Sequence, residues 1–315
     1  MMIPVEWLTQ AAVRIAPHIH ITPLSYDSQN DLYLKWENHQ ITGSFKARGA
    51  LNKVLGLQDW ERQRGLVTAS AGNHGQGLAF AGRLTSTGVI VYASEHATPA
   101  KVEAMQDLGA EVRLVPGGYG EAEQAGLQYA ARRGATWISA YNDGQVIVGQ
   151  GTLGLEIIHQ WKDPRLPTWV VPAGGGGLAA GIGAAIRSLS PVGSKLVAVS
   201  SDASPFLHGL YHAGSQEGIV ELPSLADGLA GPVEPGSVTI PLAQEYIDDF
   251  ILVTEEEIRH AITHAWQHFK ERIEGSAATA LAAVLYGKIS ARPAIVLLTG
   301  GNIQPEVHAR IIQSE

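Results

Sequence analysis

The sequence of 315 residues has no cysteine, which excludes disulfide bonds, thiolate nucleophiles and cysteine-ligated metals. Positive charge is in short supply. Against 30 acidic side chains stand 22 lysines and arginines, and the net charge of −8 repels phosphate backbones, so nucleic acid is not an expected partner. No stretch approaches the ~20 uninterrupted apolar residues of a membrane-spanning helix, so no membrane association is expected. The start of the chain mixes Glu6, Gln10 and Arg14 into an apolar pattern, which reads as an amphipathic helix and not as a secretory leader, so a cytoplasmic location is the expectation. Fixed-period repeats and low-complexity segments are also missing. What the chain does have is apolar side chains, 45% of the total, enough to bury a large core divided between two domains.

Short apolar runs at 66–69, 89–93, 112–115, 136–139, 169–172, 196–200, 250–253 and 295–298 read as buried strands. Helical patterns alternate with them at 99–108, 121–133, 152–161, 179–189 and 255–269; Thr254 and Glu257 supply a capping box for the last. Strand followed by helix, repeated, predicts an α/β fold of mainly parallel sheets covered on both faces. Parallel sheets bind ligands beyond the carboxyl ends of their strands. The loops after Ala69, Pro172, Ser200 and Leu298 are therefore the places to look for chemistry, and the Gly-, Pro- and Ser-rich stretch 214–241 reads as an active-site loop.

Four motifs stand out. Lys46, in Thr42-Gly43-Ser44-Phe45-Lys46-Ala47-Arg48-Gly49-Ala50, sits at a predicted helix start, where partial burial lowers a lysine pKa and suits the amine to an aldehyde; a solvated first-turn lysine is the plain alternative. Ser70-Ala71-Gly72-Asn73-His74-Gly75-Gln76-Gly77 follows a strand and opens a helix, offering backbone N–H groups to a carboxylate, unless it is an ordinary capped turn. Pro172-Ala173-Gly174-Gly175-Gly176-Gly177-Leu178 is a glycine-rich strand-to-helix turn suited to a phosphate. Its rival is a dinucleotide site, because Gly174-x-Gly176-x-x-Ala179 with Asp202 satisfies a relaxed fingerprint for a nicotinamide-dependent oxidoreductase. Thr299-Gly300-Gly301-Asn302 follows the last strand and is either a turn or the source of a neutral hydroxyl for a pyridine nitrogen.

His208 with His212, and His260, His264 and His268, have helical spacing but lack the glutamate of a zinc protease, so no metal is expected. Glu274 is a helix-start carboxylate that is also positioned to face a cofactor ring. Tyr141 and Asn142 are candidates for selecting the substrate side chain.

Taken together, Ser44-Phe45-Lys46-Ala47-Arg48-Gly49, Ser70-Ala71-Gly72-Asn73-His74, Gly149-Gln150-Gly151-Thr152, Gly174 to Gly177 and Thr299-Gly300-Gly301-Asn302 resemble the threonine/serine dehydratase and serine racemase group of fold-type II enzymes dependent on pyridoxal 5′-phosphate (PLP), a fold similar to the tryptophan synthase β chain. The resemblance spans nearly the whole chain and is strongest to catabolic threonine/serine dehydratases. It implies that Lys46 carries the cofactor aldehyde and acts as the base. It further implies that Asn73 contacts the ring hydroxyl, that Gly174, Gly175, Gly176, Gly177 and Leu178 hold the phosphate, and that Thr299 faces the ring nitrogen. Ser70, Ala71, Gly72, Asn73 and His74 would bind the substrate carboxylate, with Asp227 and Gly228 beside the cofactor. The implied activity is β-elimination from a β-hydroxy amino acid such as L-threonine or L-serine, giving a 2-keto acid and ammonia. Residues 1–47 and 144–315 would form a large cofactor-binding domain and 48–143 a small mobile one, in a homodimer.

Within the group, serine racemases carry a serine where this chain has Ala71, which removes the base for the second face of the substrate carbon and argues against racemisation. The relatives' cation site begins with a glutamate where this chain has Ser200, and serine is commoner at the position of Thr299. β-Replacement is the remaining alternative within the class. A C-terminal regulatory domain, and with it isoleucine feedback, is not expected.

Overall fold

The computed structural model describes residues 2–313. Ten strands form two sheets: β1 (Leu24–Asp27), β2 (Leu32–Trp36), β3 (Leu66–Ala69), β4 (Val89–Ser94), β5 (Glu111–Val115), β6 (Thr136–Trp137), β7 (Thr168–Pro172), β8 (Lys195–Ser201), β9 (Asp249–Val253) and β10 (Ala294–Leu298). One sheet has the order β1-β2-β10-β7-β8-β9 and the other β5-β4-β3-β6. All neighbours run parallel except β1, which pairs antiparallel with β2. The α/β architecture expected from the alternation is thus present.

Side chains along the strands divide between the two faces of each sheet. On β10, Ala294, Val296 and Leu298 join one apolar cluster while Ile295 and Leu297 join another, and Val170 and Trp169 of β7 divide the same way. In the smaller sheet, Leu66 and Val91 face one cluster, Val67 and Tyr92 the other. Two-sided burial explains why these strands read as continuous apolar runs.

The β1–β2 hairpin was not anticipated, because β2 carries Lys35 and is followed at once by Glu37, both of which interrupt an apolar pattern. Both are fully buried. Lys35 donates to Glu156 at 2.6 Å and to the Thr22 carbonyl at 2.7 Å. Arg48 donates to both oxygens of Glu37, at 2.8 and 2.7 Å, and lies 2.9 Å from Glu156. Burial works against the Arg48 charge, but the carboxylates of Glu37 and Glu156 outweigh it. Two cations and two anions thus neutralise one another beneath the helix Lys46–Gly56.

The helix Gly144–Gln160 starts eight residues before the expected position, opened by Asp143, whose carboxylate accepts the Gln145 and Val146 N–H groups. The helix expected over 255–269 is α-helical only over Glu255–His264, with its capping box in place, and continues as a π turn over Ala265–Phe269.

Helix Gly144–Gln160 packs between helices Lys46–Gly56 and Gly177–Leu189 through glycines. A Cβ on Gly149 would stand 2.7 Å from the Gly49 Cα and 2.8 Å from the Arg48 carbonyl, and one on Gly151 would stand 2.7 Å from the Gly181 carbonyl. Gly149→Ala is therefore expected to lower stability by about 1–3 kcal/mol, because the obstruction is backbone and cannot swing away. Urea unfolding followed by far-UV circular dichroism measures this; an unchanged midpoint would mean that the helices separate freely.

Candidate active site

Lys46 begins a helix whose preceding residues are pinned to the turn after β10. The Phe45 N–H donates to the Thr299 carbonyl at 3.0 Å, Ser44 and Gly300 form an antiparallel bridge, and the Gly301 N–H donates to the Gly43 carbonyl at 2.9 Å. Lys46 and Thr299 are thereby fixed side by side. The lysine Nζ donates to the Ala140 carbonyl at 3.3 Å. Burial lowers its pKa to about 8, partly opposed by the Glu274 carboxylate, so a substantial fraction of the amine is neutral near physiological pH. Thr299 is 2% exposed.

The loop after β3 is organised by its own serine. Ser70 Oγ accepts the N–H groups of Gly72, at 3.1 Å, and Gly75, at 3.0 Å, so the hydroxyl holds the loop in shape. The N–H groups of Ala71, Asn73 and His74 remain without acceptors among the described residues, at the start of the helix Asn73–Leu84. The His74 imidazole turns inward. Its Nε2 lies 3.3 Å from the Ile138 carbonyl and must donate there, which leaves Nδ1 as a buried acceptor without a partner. Burial, with Lys46 nearby, lowers its pKa to about 3, so the ring is neutral and contributes no cation for a carboxylate.

Asn73 is held on both sides. Its amide donates to Glu274 at 2.6 Å, while its oxygen accepts from Asn302 at 2.7 Å; Asn302 is itself anchored to the Thr42 carbonyl at 2.9 Å. Glu274 is pushed up to about 7 by burial, with Asp227 adding and the Asn73 bond opposing. The sequence named Asn302 without giving it a role; its signal was only its place in a turn.

The glycine loop meets the lysine across the segment around Tyr141. A Cβ on Gly175 would stand 2.4 Å from the Tyr141 ring, and one on Gly177 would stand 3.0 Å from the Tyr141 Cα. Tyr141 directly follows the carbonyl that receives Lys46, so amine and glycines share one wall. Gly176 has φ +87°, a left-handed conformation open chiefly to glycine. From Gly174 to Leu178 five successive N–H groups have no acceptor among the described residues, at the N-terminus of the helix Gly177–Leu189. The irregular stretch 214–241 lines this loop: a Cβ on Gly174 would meet Leu229 at 2.7 Å, and one on Gly176 would meet Thr239 at 3.1 Å. The Asp227 carboxylate pairs with Lys101 from the smaller sheet's side, and the Gly228 N–H donates to Ser276 at 3.0 Å.

The other motifs lie elsewhere. Gly149-Gln150-Gly151-Thr152 is a helix crossing, with Gln150 Oε1 accepting the Gly49 N–H at 3.1 Å. His264 and His268 stack with ring centroids 3.9 Å apart. Among the described residues no group of three His, Asp or Glu side chains is arranged to hold a metal. Near Asp202, Glu255 instead accepts hydrogen bonds from Ser201 at 2.7 Å, Ser224 at 2.5 Å and the Leu225 N–H at 2.6 Å.

A buried amine with a lowered pKa, a row of unpartnered N–H groups at a helix start and a neutral hydroxyl fit an aromatic aldehyde with an anionic tail, the group that the resemblance implies. Comparison with known proteins agrees. A family model for pyridoxal-phosphate dependent enzymes matches residues 10–300. An L-threonine ammonia-lyase of Thermotoga maritima is 37% identical over 99% of this chain and 78% of its own length. Among solved structures, a maize serine racemase has a TM-score of 0.89 at 28% identity, covering 100% of this chain and 98% of its own. A serine racemase of Dictyostelium discoideum has 0.86 at 34% identity, covering 96% and 99%, and a threonine deaminase of Solanum lycopersicum has 0.88 at 28%, covering 99% and 94%. These matches set aside the dinucleotide reading of Gly174 to Ala179: the chain belongs to the family of pyridoxal-phosphate dependent enzymes.

Proposed function

We propose that the chain eliminates the β-hydroxyl of a small hydroxyamino acid of the threonine and serine type, giving a 2-keto acid and ammonia. The observation that carries this reading is the Lys46 amine, buried with a pKa of about 8 and separated from the glycine loop only by the wall of Ala140 and Tyr141. The relatives named L-threonine ammonia-lyase and threonine deaminase support the choice of reaction.

PLP, when bound, supplies the electron sink that makes an α-proton acidic. Gly174 to Gly177 and Leu178 would hold its phosphate, Asn73 its ring hydroxyl and Thr299 its ring nitrogen. The N–H groups of Ala71, Asn73 and His74 would hold the substrate carboxylate, aided by the dipole of the helix behind them. That orients the substrate with its α-hydrogen toward Lys46 Nζ, which takes the proton as a neutral amine. Ala71 has no side-chain proton donor for the opposite face, which favours elimination over racemisation. The Thr299 hydroxyl carries no charge and does not force a proton onto a neighbouring nitrogen, which favours rapid loss of the leaving group. Residues 48–143 would close as a small domain over the bound carboxylate and exclude water, against a large domain of 1–47 and 144–315. A homodimer acting in the cytoplasm completes the reading.

Lys46→Ala is expected to abolish the borohydride-sensitive yellow chromophore of the purified protein and to cut keto-acid release from L-threonine and L-serine by about 1,000-fold or more. Retained colour and activity in that variant would remove Lys46 from the reaction. In a panel of β-hydroxy amino acids of both configurations, release of keto acid from none, with reaction of a thiol acceptor instead, would make β-replacement the activity.

Because only the neutral amine attacks an aldehyde, the rate at which apoprotein captures PLP should rise about tenfold per pH unit below pH 8 and level off above it. Stopped-flow absorbance measures this. A rate that still climbs about tenfold per unit up to roughly pH 10 would mean that the Lys46 amine is not desolvated in solution.

A further inference from the structure

The hydrogen bonds around Asn73 run in one direction. Asn302 Nδ2 donates to the Thr42 main-chain carbonyl at 2.9 Å and to Asn73 Oδ1 at 2.7 Å, and Asn73 Nδ2 donates to Glu274 Oε1 at 2.6 Å. The two ends decide that direction. A main-chain carbonyl has no proton to give, so the Asn302 atom facing Thr42 is its nitrogen, and Glu274 offers an acceptor oxygen whether ionised or not. Asn73 could turn its amide over only by setting its oxygen against Glu274 and its nitrogen against the nitrogen of Asn302.

The partners are themselves held in place. Asn302 lies over Gly43, where a Cβ would stand 2.5 Å from the Asn302 side-chain oxygen. Glu274 is buried, and its N–H donates to the Gly300 carbonyl at 3.1 Å. A Cβ on Gly300 would stand 2.7 Å from Glu274 Oε1 and 3.1 Å from the Ser44 Cβ. The nitrogen edge of Asn73 is therefore on the side of Ser44 and Gly300, the chain neighbourhoods of Lys46 and Thr299, while its oxygen edge is taken up by Asn302. Of the two N–H groups on Asn73 Nδ2, Glu274 takes one, and the other has no acceptor among the described residues.

We propose that Glu274 and Asn302 are positioning residues that fix the polarity of the Asn73 amide, so that Asn73 meets the ring oxygen of bound PLP as a donor and holds that oxygen as an anion. A donated hydrogen bond favours the charged form of an oxygen, whereas an amide oxygen in the same place would accept from the ring hydroxyl and keep it protonated. The proposal rests on the reading that Asn73 contacts the ring oxygen, but not on the reaction that follows.

The test is the absorbance of the holoenzyme, in which the anionic ring oxygen gives the yellow band and the protonated one a near-ultraviolet band. Wild-type protein should be mainly yellow. Glu274→Gln and Glu274→Met remove the same charge at nearly the same length, but only glutamine keeps an acceptor oxygen. The ratio of yellow to near-ultraviolet absorbance should stay within about twofold of wild type in Glu274→Gln and fall about tenfold in Glu274→Met, the order of effect of one hydrogen bond to a charged group. Equal ratios in these two variants would overturn the proposal. Combining Glu274→Gln with Asn302→Asp keeps the total charge and exchanges donor for acceptor at the two ends, so the amide should turn over and the near-ultraviolet band dominate. A wild-type ratio in that double variant, shown to be folded by far-UV circular dichroism, counts against the proposal, and the comparison of glutamine with methionine decides whether or not the double variant folds. An unmoved ratio in Asn73→Ala would remove the contact with the ring oxygen and the proposal with it. Failure of the elimination reading is seen separately, as protein whose bands respond to these variants yet which releases no keto acid from serine or threonine.

Discussion

Keeping one amine out of water is the constraint around which the site is arranged. A lysine in solvent is protonated at neutral pH and is neither a nucleophile toward an aldehyde nor a base. Here the Lys46 Nζ is enclosed, with a single carbonyl 3.3 Å away as its hydrogen-bond partner and a carboxylate close enough to oppose only part of the burial penalty. The position is held from both sides of the chain. Residues 43–45 are bonded to the turn after β10, and the helix Asn73–Leu84 presses Gly77 against the Lys46 backbone, where an added Cβ would stand 3.0 Å from the carbonyl.

From that amine the rest of the site follows by adjacency. β10 lies between β2 and β7, so the turn carrying Thr299 and the glycine loop after β7 emerge side by side at the carboxyl edge of one sheet. The loop after β3 comes from the other sheet and reaches this edge through Asn73, which is tied to Glu274 and Asn302. The cleft between the sheets is thus bridged by hydrogen bonds beside Lys46, and by the Lys101–Asp227 ion pair farther along.

Much of this was legible in the sequence because the motifs fall at strand ends and the strands are apolar on both faces. All eight apolar runs contain strands, although β5 is partly exposed and β6 covers only Thr136–Trp137, and Lys46, the glycines and Thr299 lie near one another, as their places along the chain suggest. Less legible was anything that depends on partners distant in sequence. The glycines at 149 and 151 entered only as part of the family resemblance, with no role given; they serve a helix crossing. Ser70 reads as a substrate contact; its hydroxyl oxygen also accepts two N–H groups of its own loop, and His74 is neutral and faces inward. Tyr141 was picked out from its position before a motif; that its ring would wall the glycine loop could not be read from one sequence, because the contact joins residues 141 and 175 across different elements. β2 was missed because Lys35, and Glu37 just after it, interrupt the apolar run, although both are buried against partners distant in sequence.

Those partners constrain which sequences this region can accept. Lys35 and Glu37, Arg48, and Glu156 come from three separate stretches, and their charges sum to zero only while all four are present. Removing one member strands a charge away from water at a cost of about 3–5 kcal/mol, whereas exchanging an opposite pair for apolar side chains of similar volume can be close to neutral. Drift at these positions has to proceed by twos. The arginine two places after Lys46 is accordingly kept by electroneutrality, and its nearness to the reactive lysine is a coincidence of helix geometry.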